Sequence, residues 1–582
     1  MYKTLSLLDN YWQIKNCNER EILTISQRNN ISLNLSRLLV VRGIYNNQID
    51  DYLKPDLINN MPNPFELIDM ENSVSRAIKS INKNQKIGIV ADYDVDGSTA
   101  AAILFRFLSF FNIKISLKIP NRLTEGYGPN KRIMDEFLNE QIDLVFSLDC
   151  GTTSFGILDD KKYKNMDIIV IDHHISESLL PDVFAIINPN RHDESSTYNE
   201  MAAVGVTFLF LMALRKRLRE QNFFLTPQKE PNLLSFLDLV ALGTVCDVVK
   251  LNNYNRAFVS KGLELIKQRN QNAITQILDN SKLYNAPTSN DLAYIIGPQL
   301  NAASRIDDSR LPSKILISSD ISEIESISRK LILLNEKRKL IEKSIFEKAI
   351  IQADQQYNQK FILVSGNDWH NGVLGIIASR LINKYYKPTI AISFNNSIGV
   401  GSARSINNID IGSMILLAKH EGLLLNGGGH KMAAGLKINK KLLFDFQAFL
   451  TKSFKDYDNS IFNKIEYFDS KLSINEVNKE LLENIEKLEP CGNGNEEPQF
   501  IINDIIIDHT KILKDKHVLI FFKNDFNINL RGICFNCIDT KLGEYLLNHN
   551  NFKLELACTI KRDNFKESFE PQIIIKDAMI AN

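Results

Sequence analysis

The pattern of apolar and polar positions changes character several times along the 582 residues. Through residues 1–80, short helical patterns alternate with polar turns, and the stretches 35–44 and 63–78 read as helices. From Lys86 onward, short uninterrupted β-branched runs appear at 87–90, 115–119, 143–148, 167–171 and 185–188. Apolar runs without alternation suit strands buried on both faces. Helical patterns at 98–111 and 131–140 lie between them, and this alternation predicts a parallel α/β sheet. A helical region follows, roughly 200–310. Beyond it, Ile324, Ile327, Leu331, Leu334, Ile341 and Ile345 recur at helical spacing. Asp320 with Glu323 resembles a capping box at the start of that helix. Such a helix is about 50 Å long and a natural arm between two lobes.

A second α/β segment opens at Phe361, with a strand at 361–366, a helix at 372–386 and a strand at 388–394. Glycine-rich turns are expected at 399–405 (GVGSARS) and 426–435 (NGGGHKMAAG). From about residue 460 the texture is that of a small β-barrel, five or so strands with one helix at 474–488.

Composition narrows the class. Hydrophobic residues make up 44% and charged residues 24%, as in ordinary globular proteins. Lys+Arg and Asp+Glu balance at 69 each, so any polyanion site must be a local basic groove. Seven cysteines at irregular spacing do not make a disulfide framework. The pair Cys534 and Cys537 lacks the second pair that a closed zinc site requires. No signal peptide and no membrane-spanning apolar run is visible, so a reduced, cytoplasmic protein is expected.

The chemistry lies in what ends the apolar runs. One run meets Asp92-Tyr93-Asp94-Val95-Asp96-Gly97, a second meets Asp149-Cys150-Gly151, and a third meets Asp172-His173-His174. A fourth, LDLVALGTVC, meets Asp247 and is read with the other strand ends. The carboxyl ends of parallel strands form the ligand crevice of α/β sheets. Carboxylates converging there repel one another unless cations lie between them. Carboxylates with imidazole suit Mn²⁺ or Mg²⁺, and two such ions make a hydrolytic centre for phosphate esters.

DYDVDG, DCG, DHH and GTVCDVV resemble the four motifs of the DHH phosphoesterase superfamily. IPNRLTEGYG, INPN, AAVGVTF, GPQLNAASRIDD, WHNGVLGIIASRL, GSARS, GGGHKMAAG and EPCGNGNEEPQF follow in the order found in its RecJ family of bacterial single-strand-specific exonucleases. The resemblance spans essentially residues 35–580. It implies that Asp94, Asp96, Asp149, His173 and Asp247 are metal ligands, with Asp149 bridging two Mn²⁺ or Mg²⁺ ions. It implies Asp92 as a supporting acid and His174 at the scissile phosphate. Arg305 falls where the family places an arginine on the DNA phosphate. Ser402, Arg404, Gly428, Gly429 and His430 resemble substrate contacts of the DHHA1 domain. Two departures stand out, Gln299 for the family's arginine and Ser304 for its glycine. If that glycine serves a positive φ, Ser304 carries strain on the order of 1 kcal/mol and the site is slightly weakened.

The expected architecture is α/β: an N-terminal helical segment (1–80) packed on a parallel-sheet DHH domain (81–318), a connecting helix (319–355), a second α/β domain of DHHA1 type (356–458) and a C-terminal OB-fold barrel (459–582). In the barrel, Lys511, Lys514, Lys516, His517 and Arg531 are candidate phosphate contacts, and Phe521, Phe522, Phe526 and Phe535 candidate base stackers. The resemblance implies a 5′→3′ exonuclease on single-stranded DNA releasing 5′-mononucleotides, serving repair and recombination. It implies a monomer, with a single-strand-binding protein and a helicase as candidate partners. A nanoRNase or small-nucleotide phosphatase of DHH type is the alternative, which the barrel argues against. A metal-free scaffold would have lost the acids.

Overall fold

In the computed structural model, which describes residues 4–224, 226, 230–523, 530–548, 553–563 and 570–580, the chain divides into two units. One comprises residues 56–455 with 492–494, the other residues 1–55 with 456–491 and 495–582.

In the larger unit the five β-branched runs become a parallel sheet in the order Ile115–Lys118, Ile87–Ala91, Leu144–Leu148, Asp167–Ile171, Ala185–Ile187. The three central strands are buried almost throughout, which accounts for their unbroken apolar sequence. The helices Val95–Ser109 and Ala203–Glu220 cover one face and share a core with Ile89, Phe146 and Ile169. The helix Lys131–Asn139 covers the other, with Ile133 and Phe137 packed against Val145 and Val170.

LDLVALGTVC is a helix, Leu237–Cys246, and Asp247 is its C-cap residue, not the end of a strand. The helix is buried on all sides between its neighbours, so it has no polar face and no helical periodicity to read. The expected long helix spans Ile321–Asp354, with Asp320 accepting the Ser322 N–H. Glu323 does not close a capping box; it bonds Ser318 Oγ at 2.6 Å and Lys314 at 2.8 Å.

The second sheet of this unit runs Asn426–His430, Ala433–Asn439, Ile398–Arg404, Thr389–Asn395, Ile362–Asn367. Of the two glycine-rich stretches expected as turns, the first is therefore a strand and the second a hairpin whose turn is only Lys431–Met432. Antiparallel ladders on both sides of Ile398–Arg404 and an edge pairing for Asn426–His430 override the weak strand propensity of glycine.

The smaller unit contains a seven-stranded mixed sheet, built from Ser470–Leu472, Phe500–Ile505, Ile507–Leu513, His517–Phe522, Arg531–Cys534, Leu554–Arg562 and Pro571–Ile580. Residues 1–80 do not pack as one segment on the DHH domain. Leu7, Ile22, Ile25, Leu35 and Leu38 share a core with Phe500, Ile502, Val518 and Ile520, and the strand Tyr11–Ile14 pairs with Ile465–Phe468. The helix Met70–Asn82 alone of the expected N-terminal helices belongs to the larger unit's core. Ordinary apolar helix faces do not encode which distant sheet they cover.

Candidate metal centre and phosphate site

Each acid is placed by the local backbone. Asp92 follows the Ile87–Ala91 strand directly, and Asp94 caps the next helix by accepting the Gly97 N–H at 3.0 Å. Asp96 lies in that helix's first turn, and its two oxygens accept the Ala203 and Val204 N–H groups at 2.7 and 2.8 Å. The N-terminus of the Ala203–Glu220 helix thereby stabilises a carboxylate that is otherwise fully buried. Asp149 follows the Leu144–Leu148 strand in the left-handed region, φ +58°. Its carbonyl accepts the Tyr127 hydroxyl at 2.8 Å.

These residues converge. His173 Nε2 lies 3.3 Å from Asp149 Oδ1, 3.5 Å from Asp247 Oδ2 and 3.8 Å from Asp96 Oδ2. Three overlapping donor sets result: Asp96, His173 and Asp247; Asp92, Asp94 and Asp149; and Asp149, His173 and His174. Within each set the donor atoms lie within 4.8 Å of one another. Asp149 belongs to two of the sets, as a bridging carboxylate would. Asp92, expected as a supporting acid, offers a donor beside Asp94.

The electrostatics fit cations. Burial, then the charges of Asp96, Asp94, Asp92 and Asp247, pushes the Asp149 carboxyl well above the ordinary range. Burial and neighbouring acids do the same to Asp92 and Asp247, and raise Asp96 to about 7. Asp92 Oδ1 and Asp149 Oδ1 are buried with no hydrogen-bond partner among the described residues. Burial, then His174, lowers His173 to about 4, so its imidazole is neutral and its lone pair is free for a cation. This oxygen-rich set with one imidazole fits Mn²⁺ or Mg²⁺.

His174 behaves differently. Its burial favours the neutral ring, but the hydrogen bond and charge of Asp172 outweigh this and raise it to about 9. Nδ1 lies 2.8 Å from Asp172 Oδ1 and 3.1 Å from the Tyr127 hydroxyl, while the side chain stays 41% exposed. Asp172 also accepts the backbone N–H groups of His173, His174 and Thr152. Asp172 and Tyr127 thus orient a protonated imidazole. The sequence reading gave neither a role. The signal lay in DHH itself, and in a tyrosine following the strand at the same sheet edge.

Next to the acids lies an arginine cluster. Arg305 hydrogen-bonds only the Gly372 carbonyl, at 3.2 Å, among the described residues. Asp307 and Asp308, its obvious local partners, are taken by Lys330 and Arg310. Burial, then the charges of Arg122, Arg338 and Arg404, lowers Arg305 to about 10. Arg122, which sequence reading passed over within IPNRLTEGYG, sits 4.9 Å over the Tyr93 ring and acts on the Asp92 charge. Among the described residues, Arg122, Arg305 and Arg404 have no acid within ion-pair distance. Three cations without counter-ions suit a phosphate.

Ser402 and Arg404 share a face of the second sheet, and Arg404 Nη1 donates to Ser402 Oγ at 3.0 Å. A Cβ at Gly375 would lie 2.8 Å from Arg404 Nη2, and one at Gly372 would lie 2.1 Å from the Arg305 carbonyl. The turn between these glycines therefore fits closely between the two arginines. Across the sheet, Ser402 aligns with Gly435 and Gly428, and Arg404 with Ala433 and His430. Gly428 and Gly435 leave bare backbone in the row of Ser402, while Ala433 lies between Arg404 and the exposed His430, two strand spacings or about 10 Å apart.

The departures from the family pattern read differently in three dimensions. Ser304 lies within the Gly297–Ile306 helix, without positive φ, so the expected strain is absent. Its hydroxyl bonds the Asn301 carbonyl at 3.2 Å. Gln299 turns to Ser281 Oγ at 2.7 Å. Among the barrel candidates, Phe522 is core and Arg531 pairs with Asp563. Phe521 stacks on His509 at 4.1 Å, and Phe535 is 51% exposed beside His517. Phe526 lies outside the described residues. Cys534 and Cys537 are buried, and neither belongs to a metal-holding group among the described residues.

Comparison with known proteins agrees with this geometry. Residues 86–244 match the DHH family, N-terminal domain, residues 358–456 the DHHA1 domain and residues 468–577 the RecJ OB domain. The single-stranded-DNA-specific exonuclease RecJ of Haemophilus influenzae is 33% identical over 529 residues, spanning 87% of this chain and 90% of its own length. That of Escherichia coli is 30% identical, spanning 88% and 90%. The crystal structure of RecJ from Thermus thermophilus with Mn²⁺ has a TM-score of 0.82 at 24% identity, covering 99% of this chain and 80% of that one, and so shares the fold. A manganese-bound exonuclease RecJ structure matches at 29% identity and a TM-score of 0.59, over 68% of this chain and 96% of that one. Sequence identity across nearly whole chains, with all three domains in order, makes this chain a member of the RecJ family of DHH phosphoesterases.

Proposed function

We infer that the protein is a metal-dependent exonuclease that removes 5′-mononucleotides from single-stranded DNA. The observation that carries this is the juxtaposition of three overlapping Asp/His donor sets, two of which share Asp149, with three arginines that have no acid within ion-pair distance among the described residues. Asp92, Asp94, Asp96, Asp149, His173 and Asp247 are the residues that would hold two Mn²⁺ or Mg²⁺ ions. Bound there, the ions supply charge neutralisation and an activated water for phosphodiester hydrolysis.

The remaining steps belong to the side chains. Arg305 and Arg122 grip the scissile phosphate, and their positive charge counters the charge developing on its oxygens. His174, kept protonated by Asp172 and oriented by Tyr127, donates a hydrogen bond to that phosphate from its exposed edge. Ser402, Arg404, the bare backbone at Gly428 and the adjoining Gly429 receive the 5′ end, with His430 at the rim. The OB unit holds the strand through Phe521, Phe535 and the lysines at 511, 514 and 516. Repair and recombination, a cytoplasmic monomer, and a helicase and single-strand-binding protein as partners belong to the same proposal. No helix among the described residues is long and apolar enough to cross a membrane.

The test is purified protein with Mn²⁺ or Mg²⁺ on strands labelled at the 5′ or 3′ end, on blunt duplex and on dinucleotides. Early release of the 5′ label as a mononucleotide from single strands alone supports the proposal. Preference for dinucleotides over long strands would favour the phosphatase reading.

A further inference from the structure

We propose that Asn493 is a positioning residue that holds the Asp247 carboxylate in its place in the metal centre. The inference rests on the reading of Asp247 as a metal ligand. It starts from Val248, a β-branched residue at φ +61°. Side chains of this kind avoid the left-handed region, and such outliers persist only where the surroundings impose them. Val248 is 62% exposed, so its own packing does not impose the conformation. The helix before it ends normally, with Asp247 N–H on the Gly243 carbonyl at 2.9 Å and Val248 N–H on Val245 at 3.2 Å.

The constraint comes from residues almost 250 positions away. Asn493 Nδ2 donates to the Val248 carbonyl at 2.7 Å, and the Asn493 carbonyl accepts the Leu251 N–H at 2.8 Å. One residue thus clamps both ends of the turn that follows Asp247. Asn255 steadies its middle by donating to the Lys250 carbonyl at 2.9 Å. The neighbours of Asn493 are glycines for a physical reason. A Cβ at Gly492 would lie 2.7 Å from Leu251 Cδ1, and Gly494 takes φ +74° with its Cβ position 3.2 Å from Lys250 Cβ. This explains the Gly492-Asn493-Gly494 core of EPCGNGNEEPQF, a motif to which the metal and phosphate sites assign nothing. Released from the clamp, Val248 relaxes toward negative φ and swings Asp247 off its ion.

The experiment is titration calorimetry of Mn²⁺ into the metal-free full chain, with thermal unfolding in parallel. Wild type and Asp247→Asn establish how much affinity Asp247 contributes. Asn493→Ala should weaken Mn²⁺ binding about tenfold, the scale for losing a group that orients a metal ligand. Adding Val248→Gly should restore most of that affinity, because glycine adopts positive φ without a clamp. If Asn493→Ala fails to fold, Asn493→Asp, isosteric but lacking the donor, carries the same expectation. Unchanged affinity in the Asn493 variant overturns the proposal, and so does failure of Val248→Gly to rescue. If Asp247→Asn itself leaves Mn²⁺ affinity unchanged, the ligand reading beneath the proposal falls, and the proposal with it.

Discussion

Replacing Arg305 by methionine should make the free enzyme more stable and the working enzyme far worse. The guanidinium is partly buried beside Arg122, Arg338 and Arg404, and the drop to about 10 from its ordinary value corresponds to roughly 3 kcal/mol of unfavourable placement. Methionine keeps most of the apolar stem, so little packing is lost. Losing the bond to the Gly372 carbonyl returns about 1 kcal/mol. The net gain is about 2 kcal/mol. For a unit of about 400 residues, unfolding near 2.1 cal/mol/K per residue, this raises Tm by about 2–3 °C. A phosphate fills the same place in the working enzyme, so kcat/KM on single strands should fall about 10²- to 10³-fold. A 5′-phosphorylated oligonucleotide without metal should raise the Tm of wild type more than that of the variant. The assays are calorimetric unfolding with and without oligonucleotide, and steady-state hydrolysis. A variant less stable than wild type, with proportionate loss of activity, would mean that Arg305 is a structural residue and would refute the reasoning.

Other outcomes follow from the same geometry. Asp149→Asn should leave the fold intact by circular dichroism and abolish hydrolysis, since two of the three donor sets include the Asp149 carboxylate; activity above a few per cent at saturating metal counts against bridging. Phe535→Ala should raise KM for long single strands by about 1–3 kcal/mol of lost stacking and leave dinucleotide turnover unchanged; equal effects on both substrates would remove Phe535 from the strand path. The metal centre should also make stability depend on pH. Asp96 at about 7, with Asp92, Asp149 and Asp247 raised alongside it, binds protons in the folded state that the unfolded chain has released. The stability they contribute is fully present below about pH 4 and is lost as pH rises toward 7 and beyond. His173, lowered to about 4, works in the opposite direction, but it is one group against four. The Tm gap between Mn²⁺-loaded and metal-free protein should therefore widen from pH 5 to pH 8, and a constant gap would contradict it.

The sequence showed the acidic edge well, because buried parallel strands leave unbroken apolar runs and the residues after them are placed by the topology alone. Asp92, Asp149 and His173 were legible in this way. Asp247 was found by its motif, but the element before it was misread. A helix buried all round has the texture of a buried strand. The strands around Ser402 and Gly428 were misread because ladder pairing, which no local pattern records, outweighs glycine's preference for turns. Arg122 and Tyr127 were missed because their roles depend on partners far along the chain, Asp92 and His174. The placement of residues 1–55 with the C-terminal sheet was invisible for the same reason.

The central claim is that the carboxyl edge of the parallel sheet holds two divalent ions bridged by Asp149. Crystals soaked in Mn²⁺ and measured at the manganese absorption edge test it directly. The account predicts two anomalous peaks flanking Asp149, one against Asp96, His173 and Asp247 and the other against Asp92 and Asp94. A single peak, or peaks away from Asp149, would contradict it.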